Sequence, residues 1–172
     1  MDRLAAARIG QTCNFYREGA GAALRRSRLE SYLAARADAP LLLVGEAPGY
    51  RGARVSGIPF MSERQLTGSG PGEATATIVQ RVLAELGMID RVLLWNVVPT
   101  HPGTVSANRR PTRVEVDAGL PFALELARGR RVVAVGRVAA RALAADYVRH
   151  PSHGGAGAFA RDLAALAEIA RP

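Results

Sequence analysis

The sequence predicts an α/β fold, in which a central four-stranded parallel sheet lies between two layers of helices as a three-layer α/β/α sandwich. Two observations carry this prediction. Short apolar runs at 41–44 and 91–98 have the length and composition of strands buried on both faces, and a third strand is predicted at 130–136 and a short fourth at 147–150. Amphipathic segments alternate with these runs, and strands that alternate with helices form parallel sheets covered on both sides.

The helices are predicted where apolar residues recur at helical spacing, at 20–40, 74–88, 113–129, 137–145 and 160–170. Pro40 ends the first of them and Gly87 the second. Residues 45–73 are rich in Gly, Pro and Ser, and residues 99–111 contain four prolines or glycines, so both stretches are predicted to be long loops.

Length and composition favour one domain. The chain has 172 residues, of which 48% are hydrophobic, enough to bury a core without disulfides or metals. We expect a single domain over residues 1–172, with 1–40 as a helical N-terminal preface. The chain has no run of about 18 apolar residues, so no membrane span is predicted. The N-terminus lacks the apolar stretch of a secretory signal, which favours the cytoplasm. Nothing demands an oligomer, and we expect a monomer.

Cysteine and histidine are too few for a metal centre of the usual kinds. Cys13 is the single cysteine, which excludes an intrachain disulfide and a four-cysteine cluster. His101, His150 and His153 include no pair at the i, i+4 spacing of a helical zinc site. We therefore expect no metal, no iron–sulfur cluster and no other cofactor.

The charge of the chain favours a phosphate-bearing partner. Twenty-three basic residues exceed fifteen acidic ones, the net charge is +8, and every basic residue is Arg. Guanidinium groups fork onto phosphate oxygens, so the excess indicates contact with nucleic acid. A GC-rich genome is an alternative that explains the missing Lys better than it explains the net excess. Without Lys, the chain has no side-chain amine to form a Schiff base.

Polar residues stand where the predicted strands end. Glu46, Asn96 and His150 mark the first, second and fourth strands, and Gly136 marks the third. Functional groups gather at the carboxyl ends of the strands in such sheets. We expect these residues to converge on one site.

Each motif has a structural alternative. The turn "GEAPG" lacks the spacing of a Walker loop or of GxGxxG, so it is an ordinary turn with a solvated Glu or a wall of a reactive site. Phe60 in "SGIPF" is a core residue or a stacking platform for a flat ligand. Asn96 pins a loop or binds a ligand. His150 in "RHPSHGG" caps a turn or serves a loop whose glycines approach a phosphate.

The order of the motifs carries a resemblance. "LLLVGEAPG", "GIPF", "NVVPTHPG…NRRPT", "VVAVGRVAARAL" and "HPS" follow one another over about residues 41–160. In this order and spacing they resemble the uracil-DNA glycosylase superfamily, and the GEAPG form is closest to its thermophilic iron–sulfur branch, family 4. The resemblance implies the uracil-DNA glycosylase version of the predicted sandwich.

The resemblance also implies roles for individual residues. Phe60 would stack on uracil, Asn96 would read N3–H and O4, and His150 would stabilise the departing anion through O2. Glu46 would stabilise the cationic sugar and orient a water. The other candidates are Gly45 and Ala47 for uracil, Tyr50 for the exclusion of thymine, and Pro48, Gly49, Ser152, His153, Gly154, Arg109, Arg110 and Arg149 for the DNA backbone.

The chain departs from the family pattern in four places. The GEAPG branch carries four cluster cysteines and this chain carries one, so the cluster is expected to be absent. The spacer after GEAPG lacks the acidic pair usual there. "HPS" is followed by "HGGAG" instead of bulkier residues that wedge into a duplex. Ala47 stands where the best-known branch has its catalytic Asp, which leaves open whether Glu46 or another group handles the water.

The resemblance predicts a monofunctional DNA glycosylase that flips uracil out of DNA, hydrolyses the N-glycosidic bond and leaves an abasic site. Uracil-containing DNA is the expected partner. Two alternatives remain open. One is a non-catalytic or weakly catalytic protein that binds uracil or abasic DNA on the same fold. The other is a small-molecule hydrolase or nucleotide-binding protein with a similar sheet.

Overall fold

A parallel sheet forms the centre of the molecule. The computed structural model describes residues 1–169, with side chains to residue 166. Its strands are β1 (Leu41–Gly45), β2 (Val92–Asn96), β3 (Arg131–Val135) and β4 (Asp146–Val148). All neighbouring pairs are parallel, and the strand order is β2-β1-β3-β4. The predicted α/β fold with a four-stranded parallel sheet is confirmed.

Helices cover both faces of this sheet. In the described part of the chain they are α1 (Asp2–Ala6), α2 (Ala22–Ala35), α3 (Ala53–Ser56), α4 (Glu63–Thr67), α5 (Ala74–Glu85), a 3-10 helix (Ile89–Arg91), α6 (Arg113–Ala127), α7 (Arg137–Leu143) and α8 (Ala156–Ile169). None of the helices within residues 1–169 is long and apolar enough to cross a membrane.

The strand side chains divide the core into two layers. Leu42 and Val44 of β1 pack on one side with residues of α2, α6 and α7. Leu41 and Leu43 pack on the other side with residues of α5 and α8. Successive side chains of a strand point to opposite faces, so a strand covered on both faces has to be apolar throughout. This is why the continuous apolar runs of β1 and β2 predicted the sheet, whereas the edge strand β4 leaves Asp146 and Tyr147 exposed.

The connections between the strands leave a crevice at one edge of the sheet. The chain leaves β1 towards β2 on one side, whereas it leaves β3 towards β4 on the other side. The loops that follow the neighbouring strands β1 and β3 therefore diverge, and ligands of α/β sheets bind at such a point. The register places Gly45 of β1 directly beside Asn96 of β2 at this edge.

Several element bounds differ from the predicted ones, and helix α2 ends at Ala35, five residues before Pro40. The predicted loop 45–73 contains α3 and α4, each closed by a glycine in the left-handed region, Gly57 at φ 86° and Gly68 at φ 78°. Strand β4 ends at Val148, so His150 lies beyond it. Helix α8 begins four residues earlier than predicted, and residue 170, its predicted end, lies outside the described residues.

Candidate active site

A cavity of about 560 Å³ opens at the crevice. Glu46 follows β1, Asn96 ends β2, Gly136 follows β3 and His150 follows β4, and all four line the cavity together with Phe60. The structure thus brings together residues that are up to about a hundred positions apart in sequence. Their meeting is a property of the parallel sheet, because every strand delivers its carboxyl end to the same edge.

Gly45 lets two of these side chains approach each other. A Cβ at Gly45 would overlap Cζ of Phe60 and would lie 2.8 Å from Oδ1 of Asn96. Gly45 itself is buried and does not line the cavity. Its contribution is the missing side chain, because any other residue would push the ring or the amide away from the end of β1.

Phe60 is held at the cavity wall by its backbone. Its φ is +53°, which is unfavourable for a residue other than glycine, and its carbonyl accepts a hydrogen bond from the Gln80 amide at 3.0 Å. Strain of this kind costs on the order of 1–3 kcal/mol and concentrates at functional sites. The ring packs against the core beside α5 and also lines the cavity. Phe60 is therefore a core residue and a possible stacking surface at once.

The Asn96 side chain is buried and has no protein partner. Only 4% of the residue is exposed, and within residues 1–169 no hydrogen bond satisfies its amide. The amide atoms are nevertheless accessible from the cavity, because Trp95 Nε1 is the one fully buried side-chain polar atom without a partner among the described residues. An amide that lines a cavity with its donor and acceptor unused is therefore suited to a ligand that offers a matching acceptor and donor.

His150 is oriented by its neighbour Ser152. The backbone N–H of Ser152 donates to Nδ1 of His150, so that in the neutral ring the proton resides on Nε2. Burial, and then the charge of nearby His153, lower the pKa of His150 below its usual 6.5. The ring is thus a neutral hydrogen-bond donor at the cavity wall.

Glu46 supplies a carboxylate to the same cavity. Its backbone carbonyl accepts the Val98 amide at 3.0 Å, which extends the pairing of β1 and β2 past the end of the strands. Burial raises the pKa of Glu46, and the positive charge of Arg110 acts in the opposite direction. The carboxylate makes no hydrogen bond or ion pair with another described residue, so it is available to a substrate.

Comparison with known proteins agrees with this geometry. The model of the uracil-DNA glycosylase superfamily matches residues 33–167. The chain belongs to this superfamily. Wild-type SMUG2 of Pedobacter heparinus has a similar fold, with a TM-score of 0.71 and 12% sequence identity over 98% of this chain and 94% of that chain. None of the curated protein sequences matches the chain significantly. The resemblance to the superfamily is confirmed, whereas its GEAPG branch remains a prediction.

Most of the other predicted site residues of this superfamily member also line the cavity, namely Ala47, Pro48, Gly49, Arg109, Arg110, Arg149, Ser152 and His153. Tyr50 and Gly154 do not. The Tyr50 backbone N–H donates to Oδ1 of Asn108 at 2.8 Å, and the Arg51 guanidinium lies 5.4 Å from the centre of the Tyr50 ring. These contacts hold Tyr50 outside the lining of the cavity, and its predicted role in excluding thymine stays a prediction.

Arg109 has a structural partner that the sequence analysis did not assign. Its guanidinium forms two hydrogen bonds, of 2.6 and 2.7 Å, with Glu115, whose side chain is 2% exposed. The Thr112 amide donates to the same carboxylate at 2.8 Å. Arg109 therefore has a structural role, because a buried carboxylate requires this cation, and its contact with a DNA phosphate stays a prediction. The Thr-x-x-Glu spacing of a capping box was the available signal.

His101 also escaped the sequence analysis. It is fully buried, and its Nδ1 and Nε2 lie 2.8 Å from the Pro48 carbonyl and 2.9 Å from the Thr104 carbonyl. Each contact is a hydrogen bond when the ring nitrogen that faces it carries the proton. His101 thereby connects the GEAPG turn (residues 45–49) to the loop that carries Arg109 and Arg110.

The described residues contain no group of three His, Cys, Asp or Glu side chains placed to hold a metal ion. Glu73 is a carboxylate that lines the cavity and that sequence reasoning also missed. It lies 27 positions from Glu46 and precedes α5, where a carboxylate is an unremarkable helix-capping residue.

Proposed function

We propose that the chain is a monofunctional DNA glycosylase that excises uracil from DNA. The observation that carries this proposal is the unpartnered amide of Asn96, buried in one cavity with Phe60, His150 and Glu46. Uracil is flat, offers N3–H as a donor and O4 as an acceptor, and leaves as an anion. These four side chains address each of those properties.

The base is read after it has left the helix. Flipping a nucleotide out of a duplex costs a few kcal/mol, which contacts in the pocket have to offset. Stacking on Phe60 contributes on the order of 1–3 kcal/mol. Oδ1 of Asn96 accepts from N3–H and its NH₂ group donates to O4, a pattern that cytosine reverses. An amide can flip to suit either base, so this discrimination requires neighbours that hold the Asn96 amide in one orientation.

The bond between C1′ and N1 breaks with its electron pair on uracil. Nε2–H of His150 donates to O2 and stabilises the anion, and one such donor is worth roughly 3 kcal/mol of barrier in comparable oxyanion sites. Glu46 stabilises the positive charge that develops on the sugar. Water adds to C1′ and passes its proton to the Glu46 carboxylate, so that an abasic sugar and free uracil remain.

The reaction stops at the abasic site in this proposal. Glycosylases that also cut the strand form a Schiff base through an amine, and this chain has no Lys. The proposal treats the chain as a monomer, since one chain contributes every side chain that the mechanism uses.

The test uses purified protein and oligonucleotides that carry one uracil, as single strands and as duplexes. We expect strand breaks only after alkali, because the product is an intact abasic strand. Breaks without alkali would contradict monofunctional action. No break at all with excess protein would reject uracil excision, and retained binding in that case would indicate a protein that recognises uracil or abasic DNA without cleaving it.

Two variants connect the activity to the site. Asn96→Ala and His150→Ala are each expected to lower the single-turnover rate at least about tenfold while the circular dichroism spectrum is unchanged. The matched control is Asn108→Ala, which removes an amide at the rim that bonds to the Tyr50 backbone. A near-normal rate in either site variant would remove that residue from the mechanism.

A further inference from the structure

Glu73 carries a cavity-lining carboxylate with no assigned role. It immediately precedes α5, yet it makes no side-chain capping bond to that helix. Its backbone carbonyl accepts from Thr77, but among the described residues its carboxylate has neither a hydrogen bond nor an ion pair. Burial raises its pKa, with no nearby cation to oppose the shift. A capping or salt-bridging role therefore does not account for the position of this side chain.

Two glycines create the space in which this carboxylate lies. A Cβ at Gly49 would overlap Oε1 of Glu73, and a Cβ at Gly52 would overlap Oε2. Neither Gly49 nor Gly52 has a φ in the left-handed region, so a positive φ is not the reason for either glycine. They are required for space. The Glu73 carboxylate occupies the volume that a side chain at the end of the GEAPG turn would otherwise fill.

The orientation of uracil in the proposed function directs one edge of the base towards this carboxylate. In uracil, C5 is bonded to C4 and lies away from O2 and from N1. With O2 on His150, which follows the edge strand β4, and O4 on Asn96, which ends the opposite edge strand β2, C5 faces away from β4. The GEAPG turn follows β1, the strand next to β2, and the Glu73 carboxylate lies against Gly49, the last residue of that turn.

We propose that Glu73 is the specificity-determining residue that closes the cavity to pyrimidines with a substituent at C5, thymine above all. The inference rests on the proposed function. Its basis is steric: the side chain of a different element fills the space beside Gly49, and a methyl group on C5 would meet it. Because thymine differs from uracil by this one methyl group, discrimination has to come from such a contact.

The experiment measures single-turnover excision from single-stranded oligonucleotides with uracil, thymine, 5-fluorouracil or 5-bromouracil at one position. Single strands remove the contribution of base pairing. The proteins are the wild type, Glu73→Ala, Glu73→Gln and the control Glu85→Ala, which makes the same change at the exposed far end of the same helix. Each rate is compared with the wild-type rate on the same base, so that differences in leaving-group chemistry cancel.

Glu73→Ala is expected to raise the excision of thymine and 5-bromouracil relative to uracil by about tenfold or more, the usual worth of one methyl-sized contact. 5-Fluorouracil should follow uracil, because fluorine is nearly as small as hydrogen. Glu73→Gln and Glu85→Ala should discriminate as the wild type does, since Gln fills the same volume. If Glu73→Ala does not fold, Glu73→Asp, which retracts the carboxylate by one methylene, carries the test with the same criterion.

Unchanged discrimination in a folded Glu73→Ala or Glu73→Asp that still releases uracil would overturn this inference and leave the proposed function standing. Loss of discrimination in Glu73→Gln would overturn the steric basis, because charge would then decide. A wild-type protein that releases no uracil would overturn the proposed function first and this inference with it.

Discussion

The backbone N–H of Ser152 donates to Nδ1 of His150 across 3.2 Å, and Oγ of Ser152 lies 2.7 Å from the same ring nitrogen. Two groups of Ser152, which lies two residues after His150, thus fix the tautomer of the ring. A neutral His150 with its proton on Nε2 is the form that suits the proposed mechanism. This tautomer of His150 is therefore determined by its own loop, through Ser152, and not by a residue distant in sequence.

The pH dependence of excision follows from one carboxyl group, that of Glu46, and one imidazole, that of His150. Catalysis requires Glu46 ionised and His150 neutral, and acid removes both forms. Burial raises the pKa of Glu46 above 4.5 and lowers that of His150 below 6.5, so the single-turnover rate is expected to fall as the solution is acidified below pH 6.5. His153→Ala removes a neighbouring positive charge and should move the NMR titration of His150 to higher pH. A rate that increases below pH 6 would contradict the neutral-donor mechanism.

Glu46→Gln separates charge from shape at the GEAPG turn. We expect the excision rate to fall at least about tenfold, because the amide cannot stabilise a cationic sugar or accept a proton. Binding of uracil-containing DNA should persist, since Gln occupies the same space. Single-turnover kinetics and a binding titration measure the two effects. A wild-type excision rate in Glu46→Gln would show that a group other than Glu46 accepts the proton from water.

Gly45→Ala tests the close approach of Phe60 and Asn96. The added Cβ would collide with the ring, and overpacking of this kind typically costs about 1–3 kcal/mol. We expect both a lower free energy of unfolding and slower excision. Gly157→Ala is the matched control, because its Cβ would lie no closer than 3.5 Å to Arg161 Nη1 on an exposed part of α8. Denaturant melts and rates of both variants give the comparison.

Arg109 and Arg110 are neighbours with different expected roles. Arg109→Ala leaves the buried Glu115 carboxylate without its cation and should lower the free energy of unfolding by about 3 kcal/mol. The pKa of Glu115 is lowered to about 2, mainly by Arg109, so this difference should be full above pH 4.5 and disappear as pH falls towards 2.

Arg110→Ala should leave stability unchanged, because no described residue pairs with its guanidinium. It should weaken DNA binding and reduce the slope of log K against log salt by about 1. The opposite assignment, a stable Arg109→Ala with weak DNA binding, would restore Arg109 as the phosphate contact.

The sequence by itself determined the sheet and much of the candidate site. Continuous apolar runs have only one stable environment, a sheet covered on both faces, and parallel strands bring their carboxyl ends to one edge. Glu46, Asn96 and His150 could therefore be placed together before any coordinates. Phe60 was left with two alternatives, and the structure shows that its ring belongs to the core and to the cavity wall together.

The tertiary structure decided which side chains are free and which are engaged. Arg109 and Arg110 are indistinguishable in a loop sequence, and only the fold brings Glu115 within 2.6 Å of the first. Glu73 lies on another element from the glycines that it contacts, so no local pattern connects them. Strand and helix periodicity depends on neighbours along the chain, whereas the pairing of charges and the filling of a cavity depend on neighbours in space. The space beside the turn "GEAPG" is filled by Glu73, a neighbour in space that the sequence of the turn does not indicate.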